Sequence, residues 1–206
     1  MSRARRLKSR RDVSAPRRLT EQEVALVQRA RAGDRAAFDE LVRRHADGLY
    51  AVVVRLCASG QEAEEVTQEA FLRAWRGLPG FRGDSQFFTW LYRIGVNEAR
   101  RRSEPRRGER VVSLDEHRGR DIPDGSMRPD DRAEQADLRC EIDRAIGALP
   151  VDHRAALVLR DIEGLSTAQA AAVLGLREAA FKSRLHRARA ALRLALAHHD
   201  PNRATS

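Results

Sequence analysis

The stretch Leu165-Ser-Thr-Ala-Gln-Ala-Ala-Ala-Val-Leu-Gly175, followed by Phe181-Lys-Ser-Arg-Leu-His-Arg-Ala-Arg-Ala-Ala-Leu192, decides the fold of the C-terminal part of this chain. Ser166 and Gln169 have the S-x-x-Q spacing of a capping box, which predicts that a helix starts there. Gly175 is suited to the left-handed turn that ends such a helix. Since a second helix follows a few residues later, the stretch predicts a helix-turn-helix.

The second of these helices, from about Arg177, has one apolar and one basic face. At a period of about 3.6 residues, Ser183, His186 and Arg187 lie opposite the apolar stripe. Residues 177–193 contain five Arg and one Lys but only one acid. This face suits DNA phosphates and base-edge acceptors. The alternative is a solvated surface helix, but such a helix would normally mix both charge signs. The apolar stripe comprises Phe181, Leu185, Ala188 and Leu192.

Composition sets the broad class of the protein. With 206 residues, of which 42% are hydrophobic, the chain has room for two small domains with modest cores. Its net charge of +9 and its pI near 10.9 indicate a polyanionic partner. Composition alone leaves DNA, RNA and an anionic membrane open.

Neither the cysteines nor the apolar segments indicate a metal site or membrane insertion. Cys57 and Cys140 are far apart, with no His or Cys at metal-ligand spacing near either. Cys57 ends an apolar run, which predicts a buried core thiol. No apolar stretch reaches the eighteen or so residues of a membrane span, and no secretory signal follows the Arg-rich start. We expect a cytoplasmic protein.

The first half of the chain predicts helices separated by short turns. Eight of the first twenty residues are basic and one is acidic, which is typical of a disordered arm. A capping box at Thr20–Glu23 starts the first helix, and Gly33-Asp34 ends it and caps the next. That second helix, to about Ser59, carries apolar residues at helical spacing, so we expect it to lie in the core.

An acidic helix and an aromatic segment follow. The helix covers about Gln61 to Arg76, and its part Glu62–Glu69 holds four acids and no base, which is unusual in so basic a chain. The segment Phe81–Tyr92 contains five of the ten aromatic residues and leads into a helix ending at Arg102.

The second half begins with a linker. Residues 103–132 are rich in Pro, Gly, Asp and Arg and poor in large apolar residues, as linkers are. Helical periodicity resumes at Ala133, breaks at Pro150 and continues over Val151–Ile162. Since no strand-like alternation occurs, the predicted fold is all-α, with two small helical domains joined by a flexible linker and a helix-turn-helix in the second.

Three segments resemble the extracytoplasmic-function group of bacterial sigma factors, the smallest members of the sigma-70 family. They are Glu64–Trp75, Phe81–Asn97, and Leu149 to Arg189. They occur in the order of the family, and the resemblance extends from about residue 19 to residue 196. One departure is the stretch Leu176–Lys182, where the family more often carries a small Gly-Thr-Val stretch, so that Phe181 takes the position of an aliphatic packing residue.

The resemblance implies two domains that read separate promoter elements. Residues 20–102 would form sigma region 2, which binds core RNA polymerase and the −10 element. Residues 133–197 would form region 4, which reads the −35 element. Outside them lie a basic arm at 1–19, a linker at 103–132 and a tail at 198–206.

By this resemblance, the acidic helix binds the polymerase clamp. An acidic face beside apolar side chains would supply complementary charge around an apolar anchor. The alternative is that the acids only keep the helix soluble and favour its N-terminus, with Phe71 in the core. The implied contact residues are Glu62, Glu65, Gln68, Glu69, Phe71, Leu72, Trp75 and Arg76.

The loop Phe81–Phe88 corresponds to the family's element that captures an unpaired base of the −10 element. Base flipping is costly, so stacking and a shaped pocket must compensate for it. The alternative is that the aromatic residues are core residues that hold the loop. The implied −10 residues are Arg82, Asp84 and Ser85 in the loop, and Asn97, Arg100 and Arg101 on the next helix.

The family's −35 reading positions correspond to Lys182, Ser183, Arg184 and Arg187. We predict that Ser183 and Arg187 contact base edges, whereas Arg184 and Arg189 contact phosphates.

The implied function is recruitment rather than catalysis. The protein would bind core RNA polymerase, direct it to promoter DNA and help nucleate melting, under the control of an anti-sigma factor. The resemblance implies no cofactor, metal, small-molecule substrate or direct membrane insertion.

Three other classes of protein are weaker interpretations. A dimeric helix-turn-helix regulator would not explain the acidic helix and the aromatic segment. An enzyme would need a nucleophile, metal or nucleotide constellation, and the sequence shows none that we recognise. An Arg-rich RNA-binding or chromatin protein would have its basic charge spread throughout.

Overall fold

The computed structural model describes residues 21–103 and 140–197, and these residues form helices and turns without a strand. This confirms the predicted all-α fold with two helical domains. The predicted arm and tail, the linker beyond residue 103 and the expected helix start at residues 133–139 lie outside the described residues. No described helix is both long and apolar enough to cross a membrane.

Four helices form the first domain. They are α1 (Glu21–Arg31), α2 (Arg35–Val53), α3 (Gly60–Gly77) and α4 (Phe87–Ser103), with a short 3₁₀ turn at Leu78–Gly80. α1 packs on α2, and α3 packs on α2 and α4.

Side-chain caps place the starts of α2 and α3. The Ala37 N–H donates to Asp34 Oδ1 at 3.0 Å, as the predicted cap at Asp34 requires. The Glu62 N–H donates to Ser59 Oγ at 3.1 Å, while Glu62 accepts from the Ala58 N–H at 2.7 Å. One orphan donor of α3, the Glu62 N–H, is thereby satisfied, and so is the N–H of Ala58, which precedes the cap residue.

α2 ends six residues earlier than predicted. The sequence indicated a helix to about Ser59, but α2 ends at Val53 and the chain then turns. Leu56 and Cys57 are fully buried within that turn. Their apolar character reflects burial rather than helix continuation, because the chain must reverse before Ser59 can cap α3. Cys57 is buried, as predicted.

α4 is the most enclosed helix of the first domain. A Cβ at Gly95 would lie 2.7 Å from Leu49 Cδ1, so only a glycine allows α4 to approach α2 this closely. The rings of Phe81 and Trp90 lie 4.9 Å apart, and those of Phe81 and Phe87 lie 6.3 Å apart.

The second domain contains the predicted helix-turn-helix. Its helices are α5 (residues 140–147), α6 (Val151–Leu157, continued by a π-helical turn at Val158–Ile162), α7 (Thr167–Leu174) and α8 (Glu178–Ala197). Both hydrogen bonds of the Ser166–Gln169 capping box are present. Gly175 ends α7 with φ of 65°, in the left-handed region that favours glycine.

The two domains are in contact. α4 packs against α7 and reaches α6, so a single apolar core extends through both domains. Gln169 Nε2 at the start of α7 lies 3.5 Å from Gln86 Oε1, just before α4.

Candidate nucleic-acid interface

One face of α8 is open and basic. Phe181, Leu185 and Ala188 are buried against the domain, as their spacing predicts. Lys182, Ser183, His186 and Arg187 project from the other side and are exposed. The helix therefore presents a cationic face of the kind that enters the major groove.

The polar side chains of this face differ in which of their hydrogen-bonding atoms are already used within the helix. Ser183 Oγ donates to the Ala179 carbonyl at 3.1 Å, which leaves its oxygen lone pairs as acceptors for a base-edge donor. Arg187 Nε donates to the Ser183 carbonyl at 3.4 Å, which leaves its terminal nitrogens available. His186 belongs to the same face by its spacing, although the resemblance did not include it among the −35 residues.

Two flanking arginines of α8 are held by acids of α6 and of the π-helical turn that continues it. Arg189 Nη2 lies 2.6 Å from Asp161 Oδ1, and this hydrogen-bonded pair raises the pKa of Arg189. Arg184 Nη1 lies 3.2 Å from Asp152 Oδ2. Both arginines lie beside the open face, where a DNA backbone would pass, but each already has an anionic partner.

α4 has a comparable polar stripe. Arg93, Asn97 and Arg101 follow one another at intervals of four residues and are all exposed. Arg93 was missing from the predicted site, although its position one turn before Asn97 places it on the same face.

A buried carboxylate lies behind this stripe. The side chain of Glu98 is 1% exposed and accepts hydrogen bonds from Arg101 and Arg102. Arg73 Nη2 of α3 lies 3.1 Å from Glu98 Oε2. These guanidinium groups, Arg101 first among them, hold the pKa of Glu98 below its usual range. Arg102 also donates to Glu65 at 2.8 Å, which ties α4 to α3 a second time.

Arg100, by contrast, points toward the second domain. Its Nη2 lies 2.6 Å from Asp152 Oδ1 of α6. The structure thus separates Arg100 from the open stripe of Asn97 and Arg101, with which it was predicted to act.

The loop before α4 is polar outside and aromatic inside. Arg82 and Asp84 are exposed, Ser85 is half-buried, and Gly83 has φ of 80°. Phe81, Phe87 and Phe88 are buried. The predicted loop boundary is wrong at its end, because Phe87 and Phe88 form the first turn of α4 and are fixed there by packing.

α3 presents an exposed apolar side chain among polar ones. Leu72 is 51% exposed, with Trp75 half-buried beside it. Glu65, Gln68 and Arg76 are exposed, whereas Glu69 is half-buried and pairs with Arg73 at 2.7 Å. We call the side of α3 formed by Glu65, Gln68, Glu69, Leu72, Trp75 and Arg76 the α3 face.

Two of the predicted polymerase-contacting residues have structural roles. Phe71 is buried and packs edge-on against Phe38, with ring centroids 6.5 Å apart. Glu62 takes part in the cap of α3. Both remain on α3, but neither is an open part of its surface.

Comparison with protein families finds a match in each of the two domains. The profile of Sigma-70 region 2 matches residues 41–107, and that of Sigma-70, region 4 matches residues 141–192. The chain is 40% identical over 194 residues to the RNA polymerase sigma-H factor of Pseudomonas aeruginosa, a match that covers 85% of this chain and 94% of that protein.

The chain belongs to the sigma-70 family, in its extracytoplasmic-function group. It is 36% identical over 180 residues to the ECF RNA polymerase sigma-E factor of Escherichia coli K12, covering 84% of this chain and 93% of that one. This sigma factor is therefore a transcription-initiation factor, as the resemblance of its three segments implied.

Two solved structures have the same fold as this sigma factor. CnrH, in complex with the cytosolic domain of CnrY, is 31% identical, with a TM-score of 0.63 over 87% of this chain and 99% of that one. The sigma factor RpoE, in complex with the anti-sigma factor NepR from Bartonella quintana, is 26% identical, with a TM-score of 0.58 over 77% of this chain and 96% of that one. The match to CnrH must include both domains, because neither alone accounts for that coverage.

Proposed function

We propose that this sigma factor binds core RNA polymerase through the α3 face and reads promoter DNA through α4 and α8. The observation that carries this proposal is the presence of two open, arginine-bearing helix faces on two different domains. A helix-turn-helix regulator needs only one such face per chain. In this proposal region 2 covers residues 20–102 and region 4 covers residues 133–197.

The α3 face suits a protein partner with an apolar pocket. Leu72 supplies an exposed apolar anchor. Glu65 and Glu69 precede it and are each paired with an arginine, and Arg76 follows it, so its rim carries both charge signs. Anchors that become fully desolvated dominate binding energy, while a charged rim guides association. This arrangement favours a polymerase surface over DNA, since a protein can supply an apolar pocket for Leu72 and a duplex backbone cannot.

For the −10 element, we propose that polar groups surround a flipped base. Arg82, Asp84 and Ser85 lie on the loop surface, while the buried phenylalanines fix the loop and are not available for stacking. Arg93, Asn97 and Arg101 then contact the strand that continues from the captured base.

For the −35 element, we propose major-groove recognition by the open face of α8. Ser183 and Arg187 contact base edges, and Lys182 contacts the backbone. Arg184 and Arg189 contact phosphates once their carboxylate partners are displaced or shared.

Regulation and location complete the proposal. Since the two similar structures are complexes with CnrY and with the anti-sigma factor NepR, we propose that an anti-sigma partner holds this protein inactive. We further propose that it acts in the cytoplasm without catalysis, cofactor, small-molecule substrate or membrane insertion of its own.

The test is transcription by core RNA polymerase on a pool of promoter fragments, with sequencing of the transcript starts. We expect discrete starts only when this protein is present, and both promoter elements can be read from their alignment. Absence of stimulation, together with duplex binding by a dimer, would instead identify a regulator.

Variants then separate the two roles. Leu72→Glu should weaken polymerase binding by at least tenfold, because a charge enters the centre of the interface. The matched control is Leu194→Glu, which alters another exposed leucine, on α8, and should leave polymerase binding unchanged. Equal loss from both variants would show that Leu72 is not an anchor.

A further inference from the structure

The two domains meet at a surface that contains an arginine from each candidate DNA-contacting helix. Arg100 Nη2 of α4 lies 2.6 Å from Asp152 Oδ1, and Arg184 Nη1 of α8 lies 3.2 Å from Asp152 Oδ2. A single carboxylate, in the first turn of α6, thus neutralises a cation from both domains.

This arrangement is incompatible with reading two promoter elements at once. At about 3.4 Å per base pair, the roughly 25 base pairs between positions −10 and −35 span about 85 Å. In the described structure, only one carboxylate group separates Arg100 from Arg184. The domains must therefore move apart before both helices can contact one promoter.

We propose that Asp152 is a latch that holds the two domains together and competes with DNA phosphates for Arg100 and Arg184. The identity of the competing anion rests on the proposed function. The latch itself is a property of the free protein.

The geometry of the latch indicates that it is weak and reversible. Asp152 Oδ1 and Arg184 Nη1 have no hydrogen-bond partner among the described residues, although both lie within ion-pair distance of an opposite charge. The attraction is therefore electrostatic. Although these two atoms are buried, the side chains of Arg100, Asp152 and Arg184 are 24–37% exposed, so salt should weaken the attraction.

Arg154, a second charged residue at the contact between the domains, favours their separation. Arg154 Nη1 donates to the Leu56 carbonyl of the first domain at 3.4 Å, and Nη2 donates to the Leu149 carbonyl at 3.1 Å. Its Nε is buried with no hydrogen-bond partner among the described residues, and burial lowers the pKa of Arg154. Since its acceptors are neutral, Arg154 regains hydration when the domains part.

Closure therefore reflects contributions of opposite sign. The apolar contact of α4 with α7 and the Asp152 latch favour the closed arrangement, while the buried guanidinium of Arg154 opposes it. A competing anion that binds only the open state shifts the equilibrium toward it by as much as its differential affinity for the two states.

The test is single-molecule energy transfer in the full chain, without polymerase or DNA. Dyes are attached at Gln28→Cys on α1 and Arg193→Cys on α8, both exposed positions, in a Cys140→Ser background that leaves Cys57 buried. We expect Asp152→Asn to lower the closed-to-open ratio about fivefold, and added salt to lower the ratio in the wild type.

The matched control is Asp161→Asn. Asp161 pairs with Arg189 of α8 at 2.6 Å as Asp152 pairs with Arg184, but both members of that pair lie in the second domain. This variant should leave the closed-to-open ratio unchanged. An equal effect of the two variants, or none from Asp152→Asn, would overturn the proposal.

A double-mutant cycle identifies the partner across the domain boundary. Arg100→Gln should lower the closed-to-open ratio as Asp152→Asn does, and the double variant should be no more open than either single variant. Additive effects would show that the two residues do not act through one another, which would also overturn the latch.

A promoter duplex tests the competition separately. Adding it should open the wild-type protein, and Asp152→Asn should bind it up to about fivefold more tightly, because less closed protein has to be opened. If Asp152→Asn lowers the closed-to-open ratio but the protein directs no transcription, the latch stands and the proposed function fails. If the protein directs transcription but Asp152→Asn does not change the closed-to-open ratio, the proposed function stands and the latch fails.

Discussion

α4 and α8 present similar polar faces, but they are built into the molecule differently. Nine of the seventeen residues of α4 are buried, the acid Glu98 among them, and the helix packs against α2, α3 and α7. α8 buries only one narrow stripe of three residues. Arg101 and Arg102 of α4 are therefore held by Glu98, whereas Ser183 and Arg187 of α8 are held only by hydrogen bonds within their own helix.

This difference suggests a division between rigidity and adaptability. A helix that helps to capture an unpaired base needs its cations fixed before the base arrives, since ordering them later would cost binding free energy. A helix that enters a regular major groove can tolerate freer side chains, because the duplex presents its base edges in a fixed array.

The largest expected effect concerns the network of α4. Glu98→Gln should lower the free energy of unfolding by about 2–3 kcal/mol, because Arg101 loses its carboxylate partner while Arg73 and Arg102 keep only Glu69 and Glu65. Chemical denaturation at pH 7 measures this loss. Glu178→Gln on α8 is the control and should change stability by less than about 0.5 kcal/mol, since Glu178 is exposed. Similar losses would remove the contrast between the helices.

The same variant has a predicted pH dependence. Because the folded-state pKa of Glu98 lies below its ordinary value, the carboxylate contributes stability above the unfolded-state pKa and loses it as the pH falls through the folded-state pKa. The stability difference between wild type and Glu98→Gln should therefore be greatest near neutrality and shrink in acid. A constant difference at all pH values would mean that Glu98 acts through packing rather than charge.

The next effect concerns base reading by α8. Arg187→Ala should weaken binding to a −35 duplex by about 1–3 kcal/mol and relax preference at one base pair. Binding to duplexes with every substitution at each position measures both. Asn97→Ala on α4 should leave this duplex affinity unchanged, because α4 is assigned to the −10 strand. If Arg187→Ala weakened all sequences equally, Arg187 would be a phosphate contact.

A smaller effect tests how tightly α4 is enclosed. Gly95→Ala should lower the free energy of unfolding by about 1 kcal/mol, because overpacking against Leu49 exceeds the gain in helix propensity. The control is Gly60→Ala at the start of α3, where the added Cβ meets only Tyr50 Oη at 3.7 Å. This change should be neutral or stabilising. Stabilisation by both would show that α2 and α4 can separate without loss.

The smallest effect concerns the flanks of α8. Asp161→Asn should strengthen promoter binding by no more than about 1 kcal/mol, because Arg189 no longer has to leave a partner before it contacts a phosphate. Arg189→Ala should reduce the magnitude of the salt slope of binding by about one. An unchanged slope would place Arg189 away from the DNA backbone.

The sequence by itself determined the fold class, the helix-turn-helix and the family. Capping boxes, the left-handed glycine and helical spacing are local signals, so Ser166, Gln169, Gly175 and the buried stripe of α8 were readable without a structure. Arg93 was also readable, because its exposure follows from its spacing to Asn97.

Only the tertiary structure decided which charges are free. Phe71 and Phe87 are buried by contacts with residues far along the chain, and Arg100 meets Asp152 only because the two domains touch. The early end of α2 likewise follows from burial of Leu56 and Cys57 in a turn. The physical reason is that helical periodicity gives the direction of a side chain around its own axis, whereas burial and ion pairing depend on what another element brings to that side.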